Sequence, residues 1–474
     1  MSDEPRLPTL TLPELPKLDG LLERIQTSVQ MEITGRVAEV VGESIELEGI
    51  TAPIGAICQI ETHLGQRLKG RVIGFRGVHP LLAPLESLES VTAGDRVRLV
   101  EHQQHLFVGE KLCGRVVDAF GEPLDGKPLP AALDCVKAEQ SPPTSMEKLP
   151  IDKPFETGVR VIDGLLTCGQ GQRLGIFSGS GVGKSTLLGM LANGCDADRI
   201  VIAMVGERGR EVKEFIDHVL GPEGLARSVV VVATSDKPAA QRVAAAWTAT
   251  SIAESFRDQG HHVLLLFDSV TRFATAQREL GLAAGEPPTT RGYPPSVFQT
   301  LPRLVERAGC NAKGAITAFY SVLVEGDDPH EPIADSLRGL LDGHLVLSRD
   351  LAEEAVYPPI DILQSISRLQ PKLIEKDVSE AVVTMRRYLA DYRKHRDLIA
   401  IGAYRKGSDP QVDGAVVMNQ LFRDYATQDW KQVSTLAQSQ EMLLDLPRQL
   451  KLLMDEEKST SVAKYDPIGT SVDL

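Results

Sequence analysis

Residues Leu174–Thr186 read LGIFSGSGVGKST, and the interpretation of this stretch decides the architecture of the 474-residue chain. Leu174, Ile176 and Phe177 make an apolar run of strand length, a glycine-rich turn follows, and Lys184-Ser185-Thr186 opens a helix. That is the layout of a phosphate-binding loop, in which each residue type has a physical task. Gly179, Gly181 and Gly183 let the backbone turn tightly and aim successive N–H groups at a phosphate. The following helix N-terminus adds free donors and a favourable dipole. Ser178, Gly179, Ser180, Gly181, Val182, Gly183, Lys184, Ser185 and Thr186 are therefore the candidate nucleotide cradle. Lys184 brings positive charge to the β- and γ-phosphates, and the Ser185 hydroxyl is a candidate Mg²⁺ ligand. The pattern G-x-x-x-x-G-K-[ST] asks for glycine at its first position, where this chain has Ser178. A flexible Gly/Ser turn is the competing interpretation, and the surrounding chain has to choose.

Around this stretch, apolar runs alternate with helical ones, which implies a parallel sheet covered on both faces. Candidate strands are LGIFSGS, RIVIAMVG (199–206), SVVVVATSD (228–236), HVLLLFDS (262–269), AITAFYSVLV (315–324) and HLVLS (344–348), with helices at Glu211–Leu220 and Pro238–Gln259. Such sheets bind ligands at the carboxyl ends of their strands. Asp268 ends VLLLFD, a Walker B pattern that would hold the Mg²⁺ shell beside the nucleotide. Many strands end in Asp, so the weight of this motif comes from the phosphate loop before it. Glu207, after RIVIAMVG, would face the γ-phosphate and could polarise an attacking water as general base. The bland alternative is a surface salt bridge. Arg208 beside it would brace the site or contact a neighbour. Tyr357 in AVYPPID and Arg368 in SISRL are, on their own, compatible with core or surface.

Composition narrows the function classes. With 42% apolar residues the chain can build more than one core. A formal net charge of -14 makes it a poor candidate for wrapping nucleic acid, which depends on clustered Lys and Arg. Six scattered cysteines without a C-x-x-C pair argue against a disulfide framework or zinc site and fit a reducing cytosol. No long apolar run and no N-terminal signal pattern point to a soluble, cytoplasmic protein.

Residues 1–17 are punctuated by proline and read as irregular. Leu18, Leu21, Leu22 and Ile25 then share one face of a short amphipathic helix, which would pack on the next domain or dock a partner or membrane surface. From Met31 to about Val100, short β-prone runs separated by glycines suggest a small barrel. Its one aromatic residue, Phe75, does not make the stacking platform that RNA binding needs, so a structural or oligomerising collar is expected. Residues 101–155 read as Gly/Pro-rich connections. From about Asp377 the pattern is helical, and the last residues read as a disordered tail.

Taken together, GVRVIDGLLTCGQGQRLGIFSGSGVGKST, VGERGREVKEF, LLLFDSVTRFATAQRELGLAAGEPPTTRGYPPSVF, VEGDDPHEPIAD, LDGHLVLSR and YPPIDILQSISR resemble the type III protein-export ATPases of flagella and injectisomes, relatives of the catalytic subunits of rotary ATP synthases. The resemblance runs from about Leu18 to Leu446. That family also commonly lacks the first phosphate-loop glycine, so Ser178 fits it. The resemblance implies an α/β fold: a RecA-like phosphate-loop ATPase core with an N-terminal small β-barrel and a C-terminal helical domain. The expected divisions are an N-terminal extension (1–27), the barrel (28–105), the ATPase core (106–376), the helical domain (377–455) and a tail (456–474).

By the same resemblance, Lys184 and Ser185 look like the phosphate and Mg²⁺ ligands, Glu207 the catalytic carboxylate and Asp268 the Walker B acid. Tyr357 matches the tyrosine that stacks on adenine. Arg368 matches an arginine finger supplied to the nucleotide of an adjacent subunit, a device worth about 10³–10⁵ in rate. The family assembles as a homohexameric ring. Gly281–Pro295 resembles the loop facing its pore, where a coiled-coil central stalk inserts. The N-terminal helix matches the docking region for a negative-regulator dimer, and the helical domain matches the part that engages chaperone–cargo complexes. Docking at the inner-membrane export gate, compatible with peripheral membrane association, is implied as well. GAYRKGSDPQVDGAV reads as the flagellar branch, with an injectisome ATPase as the alternative. A rotary ATP synthase subunit and a hexameric RNA translocase share the motor core. The first would need a non-catalytic partner subunit, and the second an aromatic, basic barrel.

Overall fold

The computed structural model describes residues 33–324 and 331–463, with side chains as far as Asp455. The expected amphipathic helix at Leu18–Ile25, most of VEGDD and the tail beyond Ala463 lie outside these residues, whereas 456–463, read as the start of a disordered tail, continue the last helix. Among the described residues, no helix is long and apolar enough to cross a membrane.

Six strands, β1 (Thr34–Val41), β2 (Ser44–Glu48), β3 (Ile57–Glu61), β4 (Arg67–Arg76), β5 (His79–Pro84) and β6 (Arg96–Glu101), close into a barrel in the order β1-β2-β5-β4-β3-β6. Alternate residues fill its interior, among them Val37, Ile45, Leu47, Cys58, Ile60, Val72, Leu82 and Val97. Closure leaves no unpaired edge. Register shifts at Val37/Glu39 and Val72/Gly74 supply the bends that closing six strands requires. Phe75 stands exposed near the end of β4.

The stretch read as connections holds more order than expected. β7 (His105–Val108) pairs with β9 (Asp134–Lys137), and β8 (Arg115–Val117) runs parallel to a strand of the main sheet at its edge. Runs of three or four residues between glycines are too short for periodicity to reveal them. β10 (Pro154–Phe155) and β11 (Cys168–Gly169) form a small two-stranded sheet.

The main sheet contains β12 (Arg173–Ser178), β13 (Arg199–Val205), β14 (Ser228–Ala233), β15 (His262–Asp268), β17 (Ala315–Leu323), β18 (Gly343–Val346) and β19 (Ile366–Ser367), with β16 (Gly309–Cys310) alongside β17. The order is β19-β18-β12-β17-β15-β13-β14-β8, parallel from β18 through β8. All six strands expected from the apolar runs belong to it.

Each central strand feeds two cores. Val201, Ala203 and Val205 face one, with Val263, Leu265 and Phe267, under the helices Ala239–Asp258, Val270–Ala283 and Pro295–Val305. Ile200, Ile202 and Met204 face the other, with Leu264, Leu266, Leu174 and Ile176. The phosphate-loop helix (Lys184–Gly194) lies on this second face. The helices Lys376–Ala400, Pro410–Ala426 and Leu436–Ala463 join the same core through Val382, Met385, Met418, Phe422 and Leu443. Burial on both faces explains why the strands read as unbroken apolar runs rather than alternating ones.

The Gly281–Pro295 stretch begins while its chain is still helical, since that helix continues to Ala283. Gly281 is needed there for closeness: a Cβ would stand 2.7 Å from Pro294 Cγ.

Candidate nucleotide-binding site

The loop after β12 has the backbone that its glycines suggest. Gly181 and Gly183 take φ values of 76° and 106°, the left-handed region that glycine enters without steric cost. Ser178 keeps an ordinary backbone as the last residue of β12, so nothing in the turn itself requires glycine at that position. Val182 is buried in the core and anchors the loop, while Ser180, Gly181, Ser185 and Thr186 stay exposed around the helix N-terminus.

Topology brings three charged side chains together. β17 lies between β12 and β15, and β13 flanks β15 on its other side. Lys184 reaches from the loop across β17, placing Nζ 2.5 Å from Asp268 Oδ1 and 3.3 Å from Glu207 Oε1. Asp268 and Glu207 are both buried. Burial and the charge of Asp268 push the Glu207 pKa above the usual carboxylate range, against the pull of Lys184 and Arg272. Burial works against the Lys184 ammonium, but the two carboxylates outweigh it and hold its pKa above the ordinary lysine value.

One ammonium thus faces two carboxylates. A hard divalent cation takes oxygen ligands and keeps several waters, and Asp268 and Ser185 offer only oxygen, so this donor set fits Mg²⁺.

Three further groups belong here that the sequence reading did not single out. Ser321 Oγ donates to Asp268 Oδ1 at 2.5 Å. Arg272, on the helix after β15, packs its stem against Gly206, where a Cβ would lie 2.7 Å from Arg272 Cβ. Arg349 Nη2 donates to Ser180 O at 3.4 Å. A buried hydroxyl within the apolar run of β17 was the one available signal, because such a group needs a partner.

Tyr357 is 45% exposed, with its hydroxyl donating to Ala352 O at 3.1 Å. The turn it opens lies against the phosphate loop: a Cβ on Gly183 would be 3.8 Å from Pro359 Cδ. Arg208 is exposed and pairs with Glu211 at 3.4 Å. A cavity of about 590 Å³ abuts Ser178 and Gly179 and extends toward Arg393 and Phe422, but Lys184, Glu207 and Asp268 do not line it. The charged triad lies outside that cavity, and its geometry rather than the cavity marks the site.

Arg368 is not with the others. Its backbone N–H donates to Asp342 O at 3.0 Å and its guanidinium to Arg338 O at 2.9 Å. Asp342 in turn bonds Arg173, the first residue of β12, whereas the phosphate loop leaves from the last, Ser178. At about 3.3 Å per residue those ends lie roughly 16 Å apart.

Comparison with known proteins identifies the family. The model of the ATP synthase alpha/beta family nucleotide-binding domain matches residues 158–367, and that of the T3SS EscN ATPase C-terminal domain matches residues 374–445. The flagellum-specific ATP synthase of Bacillus subtilis strain 168 is 52% identical over 402 residues, covering 84% of this chain and 92% of the relative. The chain belongs to the flagellar and type III secretion ATPases. Both branches of that family are close. The type 3 secretion system ATPase of Xanthomonas euvesicatoria is 47% identical over 434 residues, covering 91% of this chain and 98% of the relative. The assembled ATPase EscN from the enteropathogenic E. coli type III secretion system superimposes with a TM-score of 0.82 at 43% identity, covering 87% of this chain and 99% of that one. Its complex with the central stalk EscO gives 0.79. The chain is an ATPase of this family, with its N-terminal barrel, mixed sheet core and C-terminal helices.

Proposed function

We propose that this ATPase powers a type III protein export apparatus of the flagellar branch, releasing chaperones from export substrates and unfolding them. The observation that carries this reading is Lys184 held between Asp268 and Glu207 at the carboxyl ends of the central strands. An incoming ATP offers phosphate oxygens that draw Lys184 away from the carboxylates, and the loop N–H groups and helix N-terminus cradle the same phosphates. Mg²⁺, held by Ser185 and Asp268, would neutralise charge on the phosphates. Glu207, relieved of Lys184, takes the proton of the attacking water, and Arg208 braces the loop behind it. Tyr357 gives the adenine an exposed aromatic face beside the loop.

Arg368 sits at the other end of β12 from its own loop, and so serves the site of an adjacent subunit in a homohexameric ring. The EscN structures, assembled and with a central stalk, support ring and stalk alike. Division into barrel (28–105), core (106–376) and helical domain (377–455), the regulator dimer, chaperone–cargo complexes and docking at the cytoplasmic face of an inner-membrane export gate belong to the same reading. An injectisome ATPase is the second reading, favoured by the 47% identity to the Xanthomonas protein over nearly its whole length.

Replacing Lys184 by alanine on the chromosome tests the proposal. ATP hydrolysis by the purified variant and protein export by the cells should both be lost, and undiminished hydrolysis discards the site. Deletion of the whole gene separates the branches: loss of filaments supports the flagellar one, and normal motility excludes it.

A further inference from the structure

Asp268 Oδ1 accepts two hydrogen bonds, from Lys184 Nζ at 2.5 Å and from Ser321 Oγ at 2.5 Å. Neither donor uses Oδ2. Ser321 is completely buried on β17, the strand that separates the loop strand β12 from the Asp268 strand β15. Register places it beside Ile176 of β12, and Tyr320 beside Phe267 of β15, so Ser321 and Asp268 stand next to each other on one face of the sheet. The same strand grips the following helix two residues on: Leu323 N donates to Thr271 Oγ1 at 2.9 Å. β17 thereby holds both the carboxylate and the helix that carries Arg272.

The two donors to Oδ1 differ in permanence. Lys184 belongs to a loop, and on the reading above it moves to the phosphates when nucleotide arrives. Ser321 belongs to a central strand and cannot leave. We infer that Ser321 is a positioning residue: its hydroxyl holds Asp268 by Oδ1 throughout the cycle, so that Oδ2 remains directed to the Mg²⁺ shell after Lys184 has gone. This inference rests on the nucleotide-site reading and adds to it the group that keeps the acid in place. Burial makes the role hard to replace, since no bulk water reaches Ser321 to substitute for a lost hydroxyl.

The test measures equilibrium binding of a fluorescent ADP analogue to the full chain, with and without Mg²⁺, in Ser321→Ala, Ser321→Cys and Ser321→Thr. Loss of a hydrogen bond to a charged acceptor should raise the free Mg²⁺ needed for half-maximal tight binding by about tenfold in the Ala and Cys variants. Binding without Mg²⁺ should stay within about twofold of wild type, and Thr, which keeps the hydroxyl, should restore the Mg²⁺ dependence. If Ala lowers the melting temperature appreciably, the nearly isosteric Cys variant decides.

Wild-type Mg²⁺ dependence in a folded Ala or Cys variant overturns the inference. So does an equal loss of affinity with and without Mg²⁺, which would mean general loosening of the site, and so does a folded Thr variant that stays shifted. Lys184→Ala, measured alongside, separates the two levels. Normal nucleotide binding and turnover there would remove the site reading and this inference with it. An inert Lys184→Ala beside a wild-type Ser321→Ala removes only the role of Ser321.

Discussion

Glu207 is buried beside a second carboxylate, and both conditions favour its protonated form, with Lys184 and Arg272 acting in the opposite sense. A general base works only when ionised, so kcat/KM should fall as pH drops through the raised pKa of Glu207 in the free enzyme. The acid limb of a pH–rate profile is therefore expected above the ordinary glutamate value of about 4.3. A limb at or below that value would remove Glu207 from the role. Glu207→Gln keeps the side-chain volume and loses the base, so nucleotide binding should persist while hydrolysis falls by about 10²–10⁴, read from phosphate release against analogue binding. Lys184, Glu207 and Asp268 were legible in the sequence because each follows an apolar strand, and the parallel-sheet rule sends all three strand ends to one edge. Arg272 and Ser321 were not. One sits a turn into a helix and the other inside a strand, so only strand order and register reveal that they reach the same carboxylates.

The same distinction holds for whole elements. The central strands and the C-terminal helices announce themselves by long apolar runs and helical spacing, whereas β8 and the β7–β9 pair are too short to do so. Tertiary links between elements leave still less trace. Arg307 is fully buried, with Nε donating to Glu254 Oε1 at 2.9 Å, Nη2 to Ser251 Oγ at 2.7 Å and Nη1 to Ala138 O at 3.2 Å, and its guanidinium lies 5.7 Å from the Trp247 ring centre. It ties the helix Ala239–Asp258 to the segment after β9 and to the turn before β16. In the sequence, LVERAGC offers no hint of this, because Glu254 is 53 residues away. Removing one member of such a pair leaves an uncompensated buried charge. Glu254→Ala should cost about 3–5 kcal/mol of stability, visible as a lower denaturant midpoint. Replacing both residues by apolar side chains of similar volume should recover most of that loss. A Glu254→Ala midpoint equal to wild type would mean that water reaches the guanidinium.

At the scale of the molecule, Arg368 joins the backbone at the opposite end of β12 from its own phosphate loop, and the proposed sharing of sites between subunits turns on that placement. The sequence marked Arg368 only through a family resemblance, since its distance from Lys184 depends on β18 and β19 lying beside β12. The backbone of Arg368 joins the Arg173 end of β12, about 16 Å along that strand from where the loop leaves, and its guanidinium is held by Arg338 O. On the proposed reading a neighbouring subunit therefore supplies the arginine. Arg368→Ala should then reduce turnover by about 10³ or more while leaving nucleotide binding intact. Specific activity of the wild type should also rise with protein concentration as subunits associate. Mixing gives the sharper test. Lys184→Ala subunits keep the finger and lack the loop charge, and Arg368→Ala subunits keep the loop and lack the finger, so each alone should be inactive. Combined in equal amounts at random, about one interface in four joins an intact loop to an intact finger, and hydrolysis should reappear at up to that fraction of the wild-type rate. An arginine acting within its own chain gives no such recovery. A mixture as inactive as its components, with assembly verified by size, would place Arg368 outside the shared site.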